Sequence, residues 1–223
     1  TRDDIIDLLP IPNSRVQVIY PGTPRGFSPR SPESCLKVLS QYRLTFPYLL
    51  YAGSYHPRRN IEFLVECFEN ISDRIKHSLV MVGPSFGATR QLLERIDQSP
   101  VRNRIKTLGL VPRADLPFLF AGSEIFLFPS LYEGFGLPVL EAMASGCPVI
   151  ASNTSSIPEV LGDAGILLDP TDMKSWCDTI TSLSLDSPRQ TLLSKAAADR
   201  SKKFSWKKSA EEIIKLMEQV ANK

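Results

Sequence analysis

Phe128-Pro129-Ser130-Leu131-Tyr132-Glu133-Gly134-Phe135-Gly136-Leu137-Pro138-Val139-Leu140-Glu141 is the stretch whose reading decides the fold. An apolar run ends at Phe128, two glycines follow, and Pro138 stands where the first turn of a helix tolerates a residue without an N–H. The stretch therefore reads as strand, glycine turn and helix. Such a turn lies at the C-terminal edge of a parallel sheet, where open α/β proteins bind ligands. Gly134 and Gly136 let the backbone approach a ligand with no Cβ between, and amides near a helix N-terminus suit anionic or hydroxyl oxygens. Glu133 before the turn and Glu141 inside the helix place two acceptors around these donors.

Outward from this segment, β-branched and apolar runs alternate with helical periodicity, the pattern of a parallel sheet covered on both faces. The runs predict strands over Val16–Tyr20, Tyr48–Gly53, Ser78–Gly83, Ile105–Gly109, Glu124–Phe128, Pro148–Ala151 and Ala164–Leu168. Between the second and third, Ile61, Leu64, Val65, Phe68 and Ile71 recur at helical spacing, so Asn60 is expected to cap a helix that lays one apolar stripe on the sheet. Gly146 closes the helix that Pro138 opens. The fold class is α/β, a Rossmann-like doubly wound parallel sheet. Two regions depart from it. The stretch through Pro32 carries Pro10, Pro12, Pro21, Pro24, Pro29 and Pro32 with Gly22 and Gly26, and is expected to be an extended linker and not a packed element. Near the other end Trp206, Ala210, Ile213, Ile214, Met217 and Val220 form one stripe of an amphipathic helix anchored by Trp206.

Composition sets limits on function. Lys plus Arg number 26 against 24 Asp plus Glu, with no long block of like charge, so nothing calls for nucleic acid or an anionic membrane, and an anion has to be bound locally. The 43% hydrophobic and 22% charged content is that of a folded globular chain. Cys35, Cys67, Cys147 and Cys177 lie far apart in sequence without metal-site spacing, which reads as reduced, buried thiols and a cytoplasmic location, with the inner membrane face as an option. No apolar run approaches the ~20 residues that span a bilayer. The absence of an initiating methionine is read as a fragment. No D-x-D sequence occurs, and His56 and His77 have no companions at ligand spacing, so no metal and no cofactor are expected. His56 is expected to be an exposed loop residue, and Phe126, Phe128 and Phe135 to be packing residues, of which Phe135 alone is a candidate for ligand contact.

Two carboxylates, a glycine turn and a nearby cation suit a sugar nucleotide, because hydroxyls donate to carboxylates while a diphosphate takes amides and guanidinium. Glu133 to Glu141 resembles the E-x7-E motif of retaining glycosyltransferases of the GT-B fold, in particular the large fourth family with its bacterial mannosyl- and glucosyltransferases. Tyr51-Ala52-Gly53-Ser54-Tyr55-His56-Pro57-Arg58-Arg59-Asn60 is similar to that family's G-T/R-x-x-P-R-K-N segment, and Leu108-Gly109-Leu110-Val111-Pro112 to its nucleotide-base loop. The segments Ala144 to Ala151 and Ile157 to Val160 follow its pattern as well.

The resemblance implies the C-terminal half of a GT-B fold. Residues 1–29 would be the end of an N-terminal domain and the interdomain linker, 30–205 the nucleotide-sugar domain, and 206–223 a helix crossing back to the first domain. It implies that Glu133 contacts hydroxyls of the transferred hexose, that Gly134, Phe135, Gly136 and Leu137 line sugar and phosphate, and that Glu141 holds the ribose. Arg59, with Arg58 as a second clamp, would take the charge of the departing diphosphate. Gly53, Ser54, Gly83, Leu110 and Val111 complete the expected donor site. Ser54 and Arg59 depart from the family, many of whose members have arginine and lysine at these places. The implied partners are a nucleotide-sugar donor, an N-terminal Rossmann-like domain and a saccharide or lipid-linked acceptor. The implied reaction is retaining transfer of mannose or glucose, by a front-face route or a carboxylate nucleophile. Another GT-B enzyme such as a sugar-nucleotide epimerase, or a non-catalytic binding module, remains the alternative, and loss or survival of activity in Glu133→Ala separates the module from an enzyme.

Overall fold

Six short apolar segments pair into one parallel sheet in the computed structural model, which describes residues 2–84 and 89–221. They are β1 (Tyr48–Ala52), β2 (Ser78–Val82), β3 (Ile105–Gly109), β4 (Ile125–Phe128), β5 (Val149–Ser152) and β6 (Ile166–Leu168), in the order β3-β2-β1-β4-β5-β6. Every residue of β1, β4 and β5 is buried, as strands covered on both faces must be. The helices, in chain order, are α1 (Arg2–Leu8), α2 (Pro32–Gln41), α3 (Ile61–Ile71), α4 (Thr89–Asp97) and α5 (Leu116–Ala121). After them come α6 (Leu137–Ala144), α7 (Ile157–Leu161), α8 (Met173–Ser184), α9 (Ser187–Ser201) and α10 (Trp206–Ala221). In this order β1 stands beside both β2 and β4, with the chain winding away to one side and then to the other. The crevice outside the C-terminal ends of β1 and β4 is thus the topological switch point where sheets of this kind hold ligands.

Local chemistry explains the elements that carry the site. In α3 the residues Ile61, Leu64, Val65, Phe68 and Ile71 are all buried, the stripe that the spacing predicts. Each buried aliphatic or aromatic side chain of this size contributes roughly 1.5–3 kcal/mol. α6 carries Pro138 in its first turn and ends before Gly146, whose φ of 70° is the left-handed conformation a helix C-terminus favours. Asn60 holds the N-cap position of α3, its carbonyl accepting the Leu64 N–H at 3.3 Å, but its side chain makes no capping bond: at φ 56° it also closes the 3-10 turn Pro57–Arg59, and its side-chain amide donates to the Pro170 carbonyl at 2.9 Å. Asparagine tolerates this left-handed backbone, and the competing partner takes the side chain away from the helix end.

Three further expectations change. Val16–Tyr20 belongs to none of the strands, because the sheet ends at β3 and β6 and the segment pairs with neither. It instead lines, with α1, Gly134 and Phe135, a groove of 560 Å³. The proline-rich opening is more than a linker, since α1 lies within it, Phe27 is buried, and Gly22 sits under Trp206 so closely that a Cβ would come within 2.1 Å of the Trp206 backbone nitrogen. The stripe of α10 finds no cover among the described residues: Ile213, Ile214, Met217 and Val220 are exposed and only Ser209 is buried. The four thiols are free and buried, and the fold brings Cys67 on α3 within 3.3 Å of Cys177 on α8. Thr1 and residues 222–223, the outermost positions of the expected terminal segments, lie outside the described residues. No described helix is long and apolar enough to cross a membrane.

Candidate functional site

The loops that leave the C-terminal ends of β1 and β4 are stitched to each other. Leu131 donates its N–H to the Arg58 carbonyl at 2.8 Å, and Arg58 Nη1 donates to the Tyr132 carbonyl at 3.2 Å. At their meeting point Arg59 Nη1 and Glu133 Oε1 form an ion pair, while Ser130 Oγ donates to Glu133 Oε1 at 2.7 Å. Both charged groups are withdrawn from water, with side chains 11% and 6% exposed. The guanidinium also lies 5.1 Å from the centroid of the Phe128 ring, and its Nε has no acceptor among the described residues. A buried cation and anion thus hold each other, and the Nε of the cation points to no acceptor among the described residues. Among the described residues no group of three or more His, Cys, Asp or Glu is placed to hold a metal ion.

Glu141, on the first turns of α6, is 8% exposed, and burial pushes its carboxyl up to about 7, with Arg113 opposing the shift from Nη2 at 3.9 Å. Arg113 is 72% exposed, so water screens much of that attraction and desolvation prevails. This contact draws the loop after β3, with exposed Leu110 and half-buried Val111, toward Glu141. Gly136 opens α6 at φ 96°, where a side chain is strained, and Leu137 beside it is exposed. A Cβ built on Gly134 meets nothing within 4 Å, so that part of the turn faces open space.

Other expected residues have packing duties. Gly83, at φ 146°, lies on the carbonyl of Gly53, where a Cβ would come within 1.9 Å of the oxygen. That contact keeps the ends of β1 and β2 together. Gly83→Ala is therefore expected to cost about 2 kcal/mol or more, read as a lowered urea midpoint with an unchanged slope. The Ser54 carbonyl accepts from Tyr51 Oη at 3.0 Å. The ring of Phe135 stands 6.1 Å from Tyr20 and 5.7 Å from Phe204, in a cluster that includes the connection into α10. Phe135 is accordingly a packing residue whose backbone, with that of Gly134, belongs to the turn. His56 is exposed, and its Nδ1 accepts the Arg58 N–H at 3.2 Å.

Sequence reasoning missed Ser130, Arg113 and the hydroxyl run Thr154-Ser155-Ser156. Ser155 Oγ accepts the Glu133 N–H at 2.9 Å, Ser156 Oγ donates to the Glu133 carbonyl at 3.0 Å, and Thr154 Oγ1 donates to the Ser130 carbonyl at 3.1 Å. A signal existed: three consecutive hydroxyl residues follow a buried strand at the same sheet edge as the glycine turn.

Comparison with known proteins shows the family and the fold. Residues 40–200 match the family model for glycosyl transferases group 1. The O-antigen chain mannosyltransferase B of Escherichia coli is 37% identical over 218 residues, which cover 96% of this chain and 57% of that protein. The sucrose-phosphate synthase of Thermosynechococcus elongatus superposes with a TM-score of 0.81 at 26% identity, over 92% of this chain and 53% of its own. Anabaena HepE in complex with UDP-glucose shares the fold, with a TM-score of 0.85 at 22% identity over 98% of this chain and 61% of its own. The chain thus spans little more than half the length of the mannosyltransferase B it matches.

Proposed function

The chain belongs to the group 1 glycosyl transferases, and from that premise we propose that it supplies the donor site of a retaining hexosyltransferase of the GT-B fold, with the mannose and glucose donors as the class it serves. The observation that carries this reading is the meeting of Arg59 and Glu133 at the switch point between β1 and β4. A nucleotide sugar needs a cation at its diphosphate and an acceptor at its sugar hydroxyls, side by side. In the proposed complex the diphosphate draws the Arg59 guanidinium, whose flat fork matches phosphate oxygens, with Arg58 as the second clamp and the N-terminus of α6 adding its dipole. The sugar hydroxyls then replace the guanidinium as donors to Glu133, and the ribose hydroxyls donate to Glu141. Gly53, Ser54, Gly83, Leu110 and Val111 form the wall on the nucleotide side, while the backbone from Gly134 to Leu137 lines the sugar.

The reaction breaks the bond between the anomeric carbon and the β-phosphate oxygen. Negative charge grows on the leaving diphosphate in the transition state, so cations fixed there before reaction lower the barrier. On the front-face route the acceptor hydroxyl attacks the side the phosphate leaves, and its proton passes to the departing phosphate oxygen. Glu133 orients the sugar and offsets the charge of the oxocarbenium-like carbon without attacking it. The charge on the diphosphate is met by arginines in this proposal, without a metal. The acceptor, saccharide or lipid-linked, would be held by an N-terminal Rossmann-like domain, against which the exposed stripe of α10 is placed to pack. The relationship to the E. coli mannosyltransferase B supports mannose as the transferred sugar.

Calorimetric titration of the chain with GDP-, UDP- and ADP-sugars tests the reading. Weak but selective binding of one nucleotide is expected, with robust transfer only when the acceptor domain is supplied; equal indifference to every sugar nucleotide overturns it. The state of Glu141 adds a pH signature. Its carboxyl titrates at about 7 in the fold against 4.5 in the open chain, so between those values the native state holds the extra proton. The stability this contributes is complete below 4.5 and is lost as the pH rises through 7. Ribose hydroxyls favour the ionised form, so donor binding is expected to tighten on the order of tenfold from about pH 5.5 to 8, as the carboxylate population grows. Calorimetry across that range checks it, and Glu141→Gln is expected to flatten the profile. An unchanged profile in the variant would remove Glu141 from the nucleotide site.

A further inference from the structure

Ser155 is held at φ 51°, a left-handed backbone that residues with a Cβ rarely adopt outside asparagine and aspartate. Glycine would take this conformation freely. Strain of this kind persists where surrounding contacts overdetermine it, and it gathers at functional sites. At Ser155 the contact is visible: the hydroxyl accepts the N–H of Glu133 at 2.9 Å, while its neighbour Ser156 donates to the carbonyl of Glu133 at 3.0 Å. The two serines thus hold both polar groups of the Glu133 main chain, and Thr154 fixes the Ser130 carbonyl at 3.1 Å from the other side. Ser130 in turn donates to the Glu133 carboxylate at 2.7 Å.

We propose that Ser155 is a positioning residue that locks the backbone of Glu133, so that the carboxylate stays aimed at the sugar once the diphosphate has drawn Arg59 away. This rests on the donor-site reading and deepens it. Arg59 and Ser130 both steady the carboxylate. With Arg59 turned to phosphate, the side chain keeps its direction through Ser130 and through the main chain alone, and Ser155 is the acceptor that pins the amide. The loop after β5 thereby sets how much affinity the sugar adds beyond the nucleotide.

The test uses the 223-residue chain with two substitutions, Ser155→Gly and Ser155→Asn, titrated with the pairs GDP and GDP-mannose, and UDP and UDP-glucose. The quantity read is the ratio of dissociation constants, nucleoside diphosphate over nucleotide sugar, for the pair that binds. Ser155→Gly keeps the left-handed backbone and loses the hydroxyl, so the ratio is expected to fall about fivefold to tenfold, the worth of one ordinary hydrogen bond. Thermal stability is expected to hold, because glycine is at ease at this φ. Ser155→Asn restores an acceptor on a residue that accepts the same φ, and is expected to recover most of the ratio. A merely structural role predicts the opposite split, a lower Tm with the ratio unchanged, and that result overturns the positioning role while leaving the donor site intact. Should wild type bind neither pair, the donor-site reading fails and the positioning role falls with it.

Discussion

Glu133→Gln is expected to lower hexose transfer by roughly a thousandfold in the two-domain enzyme, with the fold unchanged. The carboxamide fills the same volume, and its oxygen still accepts from Ser130 Oγ and from Arg59, which at present meet at Oε1. What the substitution removes is charge. The sugar passes through a cationic state, and a buried carboxylate with 5% of its residue surface exposed acts there with little screening by water. The loss therefore falls mainly on kcat, while the nucleoside diphosphate, which no longer has to draw Arg59 from a counter-charge, is expected to bind at least as tightly as to wild type. Steady-state transfer and calorimetry with the nucleoside diphosphate separate the two. Transfer within threefold of wild type would mean that Glu133 is a structural partner of Arg59 and that the chain serves as a binding module.

Arg59→Ala acts on stability and on binding together. It strands the Glu133 carboxylate without its counter-charge in a buried place, a situation that costs about 3–5 kcal/mol. For a domain of this size that corresponds to a Tm lower by roughly 10 °C. Nucleotide affinity is expected to fall about a hundredfold, the range of a lost charge-assisted contact to phosphate. Glu133→Gln added to Arg59→Ala removes the stranded charge, and most of the stability is expected to return while the affinity does not. Thermal melts of the four proteins of this cycle measure the coupling. Strictly additive melts, with affinity untouched, would show that the two groups neither support each other nor share a ligand. Arg59→Lys keeps the charge without the planar fork and is expected to fall between, since lysine offers a point charge in place of two parallel donors.

The parts of the site that were legible in the sequence are those whose reasons are local. Gly134, Gly136 and Pro138 signal a turn into a helix because backbone freedom and a missing N–H act within one or two residues, and α6 begins at Leu137 as that reading requires. The apolar runs that became β1 to β6 and the stripe of α3 follow from periodicity alone. Val16–Tyr20 shows the limit of periodicity. Its residues suit a strand, yet a strand exists only beside a partner, and the segment pairs with no strand of the sheet. Asn60 shows another limit, because Pro170, 110 residues away, competes for its side chain. Phe135 belonged to the glycine turn by sequence, and the aromatic cluster with Tyr20 and Phe204 drew its ring elsewhere.

The amino-acid order by itself determined the alternation of strands and helices, the glycine turn and the identity of the charged groups, because each depends on propensities and spacings felt within a few residues. Only the tertiary structure decided that Arg59 and Glu133, 74 positions apart, would share one buried contact, and that Ser155 would reach the amide of Glu133. Both follow from β4 lying between β1 and β5, and strand order is settled by which apolar faces can be buried together, a property of the whole chain that no single segment contains.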